Sequence, residues 1–141
     1  MALKVSKVEL WSAAIDDRAG GAADKIEPLA KAGANFEFAF ARRTPEQPGR
    51  GVLFITPVKG AKVSQAAQAA GFGKSITMHS VRIEGADKPG VTVKVMRALA
   101  SAGISFRALS ASAIGKRFVS FVALDSAEDA ARAATLLRKI D

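Results

Sequence analysis

The chain has 141 residues, 49% of them hydrophobic, and carries a formal net charge of +8. That composition excludes a disordered polymer, and the absence of cysteine excludes a disulfide framework or a thiolate metal site. The basic excess is spread over both halves, with only the pairs Arg42-Arg43 and Lys116-Arg117 as local concentrations, so it favours solubility over a dedicated polyanion stripe.

Met1 to Leu10 interleaves lysines with apolar residues, which argues against a signal peptide. No stretch approaches the roughly 20 apolar residues needed to span a bilayer, so a cytoplasmic location is expected. The first strand is expected over Lys7 to Ile15. A turn at Asp17-Arg18-Ala19-Gly20-Gly21 and a helix follow, the helix containing Pro28, whose missing N–H would cost about 3 kcal/mol in a helix interior. The expectation is a helix that starts late or is distorted, with Asp24 and Glu27 as a capping pair. Phe36, Phe38 and Phe40 alternate with Glu37, Ala39 and Ala41, a strand whose aromatic face should be buried. A loop from Thr44 to Gly51, the strand Val52 to Thr56 and a helix from Ala61 to Ala70 complete the pattern. Gly71-Phe72 closes that helix as a Schellman stop would.

The same order then recurs: a strand from Met78 to Glu84, a helix from Gly90 to Ala102 with Pro89 at its start and Gly103 at its end, a strand near Phe106, a turn at Gly115, a strand from Phe118 to Leu124, and a helix from Ala127 to Arg138. Asp17, Gly20, Leu29, Ala30, Ala32, Gly33 and Phe36 meet identical residues at an offset of 70, seven identities in twenty positions where chance gives one or two. The chain is a duplication. Each copy is an α+β sandwich of βαββαβ order, two helices on one face of an antiparallel sheet. Residues 1–72 form the first copy and 73–141 the second. The second copy lacks a strand after its last helix, and residues 3–7 are expected to close that sheet, in the same chain or in a partner.

The segment Ile83-Glu84-Gly85-Ala86-Asp87-Lys88-Pro89-Gly90, a helix, and then Leu99-Ala100-x-x-Gly103-Ile104-Ser105-Phe106 resembles the ACT domain. The first copy carries Asp17-Arg18-Ala19-Gly20 and Gly33-Ala34-Asn35-Phe36, losing the proline and keeping the asparagine that the family's Asp-x-Pro-Gly and Gly-Ile-Asn pattern contains. The resemblance implies a ferredoxin-like fold, two repeats paired side by side, and a regulatory module that binds a small amino acid and signals to a separate metabolic enzyme. It implies a homodimer, and neither catalysis nor a cofactor.

The chemistry supports such a site independently. A strand-to-helix turn offers unpaired N–H groups and the positive helix end to a carboxylate, glycine permits close approach, and an asparagine amide both donates and accepts. The candidate ligand residues are Gly85, Asp87, Pro89, Gly90 and Val91 with Asn35, and, in the weaker second site, Asp17, Gly20 and Gly21 with Ser105. The plainer reading is that Asp17 and Asp87 organise their turns and the glycines serve sterically. His79, the single histidine, has no partner for a metal site or a triad, and Trp11 aligns with the core position Val81. Two other functions compete. An RNA-binding module of the same strand order would use Arg50-Gly51-Val52-Leu53-Phe54-Ile55, which matches four of the six positions of the RNA-recognition signature but lacks one stacking ring. A ligand-free assembly module is the other.

Overall fold

The computed structural model describes residues 3–140. In chain order the elements are β1 (Lys4–Val8), β2 (Trp11–Asp16), α1 (Gly21–Lys31), β3 (Phe38–Arg43), β4 (Arg50–Thr56), α2 (Gly60–Ala69), β5 (Gly73–Lys74), β6 (His79–Ala86), α3 (Val91–Ser101), β7 (Phe106–Ile114), β8 (Arg117–Leu124) and α4 (Ala127–Leu137). They form two compact units: Glu9–Ser75, and the segment through Val8 together with Ile76 onward. Among the described residues no helix is long and apolar enough to cross a membrane.

In the unit Glu9–Ser75 the sheet order is β3-β4-β2-β5, antiparallel throughout. Trp11 lies opposite Ile55, Ala13 opposite Leu53 and Ile15 opposite Gly51, so these side chains share the face that the helices cover. They form one cluster with Leu29 of α1, Ala67 of α2 and Phe72. Gly20, in the left-handed region at φ 84°, precedes α1, and no side chain caps that helix. The helix starts on schedule and runs straight through Pro28, which corrects the expectation of a late start. Pro28 is exposed, so water can serve the carbonyl that has lost its donor. The capping pair does not form either: Asp24 binds Arg18 at 2.7 Å and Glu27 lies 3.6 Å from Lys31. The stop is a Schellman arrangement, with Gly33 at φ 100° and the Ala34 N–H donating to the Leu29 carbonyl at 3.0 Å.

The aromatic face of β3 is a second correction. Register places Ala39 opposite Ile55 and Ala41 opposite Leu53, on the helix side, while Phe38 and Phe40 stand on the other side with Phe54. Phe36 packs against the core, but Phe40 is 47% exposed and stacks on the half-buried Phe38 at 6.5 Å. Phe106, the counterpart of Phe36 in the second repeat, is 41% exposed. Alternation tells which residues share a face, not which face receives the helices.

The other unit has the order β1-β6-β8-β7, again antiparallel. The strand pairing in the outermost place beside β6 is β1, with Lys4 opposite Glu84 and Val8 opposite Ser80. Leu3 and Val5 enter the core with Val81, Ile83, Val95, Leu99, Val122 and Leu137. Burial of two such side chains contributes about 1.5–3 kcal/mol each. Arg138, just past α4, donates from Nη2 to the Val5 carbonyl at 2.9 Å, occupying the outer edge of β1. Ser126 caps α4 by accepting from the Asp129 N–H at 3.0 Å, with Glu128 and Asp129 in the positive first turn. α3 ends as α1 does, with Gly103 at φ 72° and the Ile104 N–H bonded to the Leu99 carbonyl at 2.9 Å.

Candidate functional site

The two strand-to-helix turns share most of their backbone hydrogen bonds. The Asp17 N–H donates to the Gly49 carbonyl at 3.0 Å, and the Asp87 N–H to the Lys116 carbonyl at 2.9 Å, so each aspartate is held against the neighbouring hairpin. The Gly21 N–H bonds the Arg18 carbonyl at 3.0 Å, and the Val91 N–H bonds the Lys88 carbonyl at 3.2 Å. Gly20 and Gly90 both take φ 84°. The Asp24 and Lys94 amides return to the Gly20 and Gly90 carbonyls at 2.9 Å. Between these bonds each helix presents two first-turn amides, those of Ala22 and Ala23 in α1 and of Thr92 and Val93 in α3. These have no carbonyl behind them in the helix and sit at its positive end. The amide of Val91 itself is committed to the turn.

Side chains make the two turns different. Around the first, Arg43 holds Asp17 at 2.8 Å, Arg50 holds Asp16 at 2.8 Å and Arg18 holds Asp24 at 2.7 Å. The hydrogen bond from Arg18 to Asp24 keeps that guanidinium above its ordinary pKa. Around the second, Asp87, Lys88, Pro89 and Gly90 are exposed, and among the described residues Asp87 forms no ion pair. A Cβ on Gly90 would meet nothing within 4 Å, whereas one on Gly21 would run into the Asp16 carbonyl. Gly85 faces inward: a Cβ there would come within 2.7 Å of Leu3 Cδ2, so its role in this fold is to seat β1.

Asn35 and Ser105 are both exposed, each between a helix stop and the next strand. α1 and α3 are 11 residues long, about 16 Å at 1.5 Å per residue. Each helix therefore separates the turn of its repeat from the strand entrance of the same repeat. The structure brings Gly85 through Val91 together in one turn and Asp17 through Gly21 in another, and joins neither to the asparagine or serine of its own repeat. Trp11 is 5% exposed and belongs to the core. Among the described residues no three His, Cys, Asp or Glu side chains gather as metal ligands.

A feature the sequence reading passed over lies beside the first turn. A cleft of about 460 Å³ runs along Ala14 and Asp16 of β2 between Lys25 and Pro28 of α1 and Ala70 at the end of α2. Lys25 aligns with the core residue Val95 at the offset of 70, a polar-for-apolar mismatch that was present in the sequence.

Residues 79–141 match the family model of the ACT domain. The whole chain is similar in fold to a protein from Bacteroides thetaiotaomicron, with 18% identity, a TM-score of 0.75, and 97% of this chain and 99% of that one covered. It is also similar to the ligand-free regulatory subunit of aspartate kinase from Thermus thermophilus, with 18% identity, a TM-score of 0.61 and 97% of both chains covered. The regulatory subunit of aspartate kinase from Thermus flavus gives 18% identity and a TM-score of 0.57, with 96% and 95% covered. Among curated proteins no sequence matches. The family match is therefore to the ACT domain over residues 79–141, and the likeness of the whole chain to these structures is one of fold.

Proposed function

We propose that the chain is a regulatory module that binds a small amino acid at the turn Gly85–Val91 and passes that signal to a separate enzyme. The observation that carries this reading is the second turn itself: left-handed Gly90 with open space around it, followed by the first-turn amides of Thr92 and Val93 at the positive end of α3. The ligand carboxylate binds those two amides. Asn35, whose amide both donates and accepts, takes the remaining polar groups of the zwitterion. The first turn is the weaker site, because its charges already satisfy one another and Ser105 is shorter than asparagine. Support for a regulatory role comes from the family of residues 79–141 and from the two similar structures named as regulatory subunits of aspartate kinase.

A thermal-shift screen with the standard amino acids tests the reading. A ligand at 100 times its dissociation constant adds about 2.7 kcal/mol to stability, a shift of several degrees. No shift with any amino acid overturns it. The RNA-binding alternative has less to stand on, since Phe54 is only 8% exposed and Arg50 is engaged by Asp16.

A further inference from the structure

The two repeats close their sheets unequally. In one, β1 covers β6 from Ser80 to Glu84, and Leu3 reaches on to Gly85. In the other, β5 pairs only with Trp11 and Ser12, and one step further the chain turns off through Phe72 and Gly71 into α2. Among the described residues, the stretch of β2 from Ala13 to Asp16 therefore has no strand on its outer side. The Ser75 N–H donates to the Leu10 carbonyl on that side at 2.8 Å. Backbone groups of an antiparallel strand alternate between neighbours, so those of Ala14, at the same parity as Leu10, also point outward. The equivalent of Ala14 in the second repeat is Glu84, which lies opposite Lys4. The outer edge of β1 is blunted by Arg138, and the Ala14 edge opens on the 460 Å³ cleft.

We propose that this cleft receives the extended C-terminal tail of a partner protein, which adds a strand to β2 at Ala14 and places its terminal carboxylate at Lys25. Direction and charge select that occupant. A strand antiparallel to β2, in line with β5, runs from Asp16 toward Ser12 and meets Phe72 and Gly71 after Ala14, so its chain must end there. At that end Lys25 Nζ donates to the Ala70 carbonyl at 2.9 Å and lies 3.3 Å from the Cβ position of Gly71. An ammonium has three donors, so two remain for a carboxylate. Among the described residues Lys25 has no acidic partner, while Arg18 and Arg50 at the far end are paired with Asp24 and Asp16. Main-chain bonds to an open edge supply affinity and a captured carboxylate supplies register. A free amino acid has no peptide backbone to pair with Ala14, which separates this cleft from the turn at Gly90.

The test uses the full chain and a short peptide of alternating valine and threonine, with its C-terminus free, amidated, or free with the amide facing Ala14 N-methylated. Calorimetry measures affinity, and amide chemical shifts locate the peptide. The free acid should bind and move the Ala14 resonance. Amidation and Lys25→Met should each weaken binding at least tenfold, and amidation should add no further loss in Lys25→Met. N-methylation should abolish binding, a control that leaves the protein unaltered. Asn35→Ala should leave peptide affinity unchanged while weakening amino-acid binding, so this proposal and the amino-acid reading fail separately. No binding of the free acid, equal binding of acid and amide, or shifts that spare Ala14 would overturn it.

Discussion

Lys25 and Val95 hold the same helical position in the two repeats and meet opposite surroundings. Val95 is 1% exposed in a core that contains Leu3 and Val5 of β1, whereas Lys25 borders an open cleft and donates to the Ala70 carbonyl. The closing strand β1, which brings Leu3 and Val5 into the core with Val95, has only the two-residue β5 as its counterpart in the other repeat, and the residue type follows these surroundings. Exchanging the residues should therefore have unequal effects. Val95→Lys buries a charge with no partner and should cost about 3 kcal/mol or more. Lys25→Val removes one hydrogen bond to a carbonyl that water can reach, and should change stability by about 1 kcal/mol or less. Urea unfolding of both variants checks this, and similar losses would contradict the difference in cover.

Gly85 and Leu3 should be energetically coupled. A methyl group at Gly85 would press on Leu3 Cδ2 in a packed core, so Gly85→Ala should destabilise by about 1–3 kcal/mol. In a Leu3→Ala background, itself costing about 2–5 kcal/mol, the same change should be close to neutral. A double-mutant cycle with additive effects would show that Gly85 is not constrained by β1.

Pro28 is the clearest local conflict in the fold. It sits inside α1 on an exposed face, and no tertiary contact of the core cluster depends on it. Pro28→Ala restores the donor to the Asp24 carbonyl and should raise stability by roughly 1–3 kcal/mol, read as a higher urea midpoint at unchanged slope. A loss of stability would mean that the proline serves packing that the exposed position does not suggest.

Much of this architecture was readable before the structure. The repeat offset, the element order and the left-handed stops at Gly33, Gly71 and Gly103 follow from periodicity and from the steric freedom of glycine, which act over a few residues. The left-handed glycines of the two turns were readable for the same reason. What escaped depended on distant parts of the chain. The face of β3 that meets the helices is decided by its register with β4, so Phe38 and Phe40 were assigned inward when Ala39 and Ala41 hold those positions. The packing of Leu3 over Gly85 escaped because Leu3 lies in a segment remote in sequence. The open edge at Ala14 follows from β5 being only two residues long, which no local pattern marks. Lys25 alone left a trace, as a lysine aligned with a core valine.

Calorimetry on the parent chain, Asn35→Ala and Ser105→Ala decides whether the Gly90 turn binds an amino acid. The parent should bind a small amino acid, Asn35→Ala should bind it roughly tenfold or more weakly, as loss of a hydrogen bond to a charged group implies, and Ser105→Ala should stay near the parent value. Equal losses in the two variants would contradict the assignment of the tighter site to the Asp87 and Gly90 turn, and no heat with any amino acid would contradict the sensing function itself.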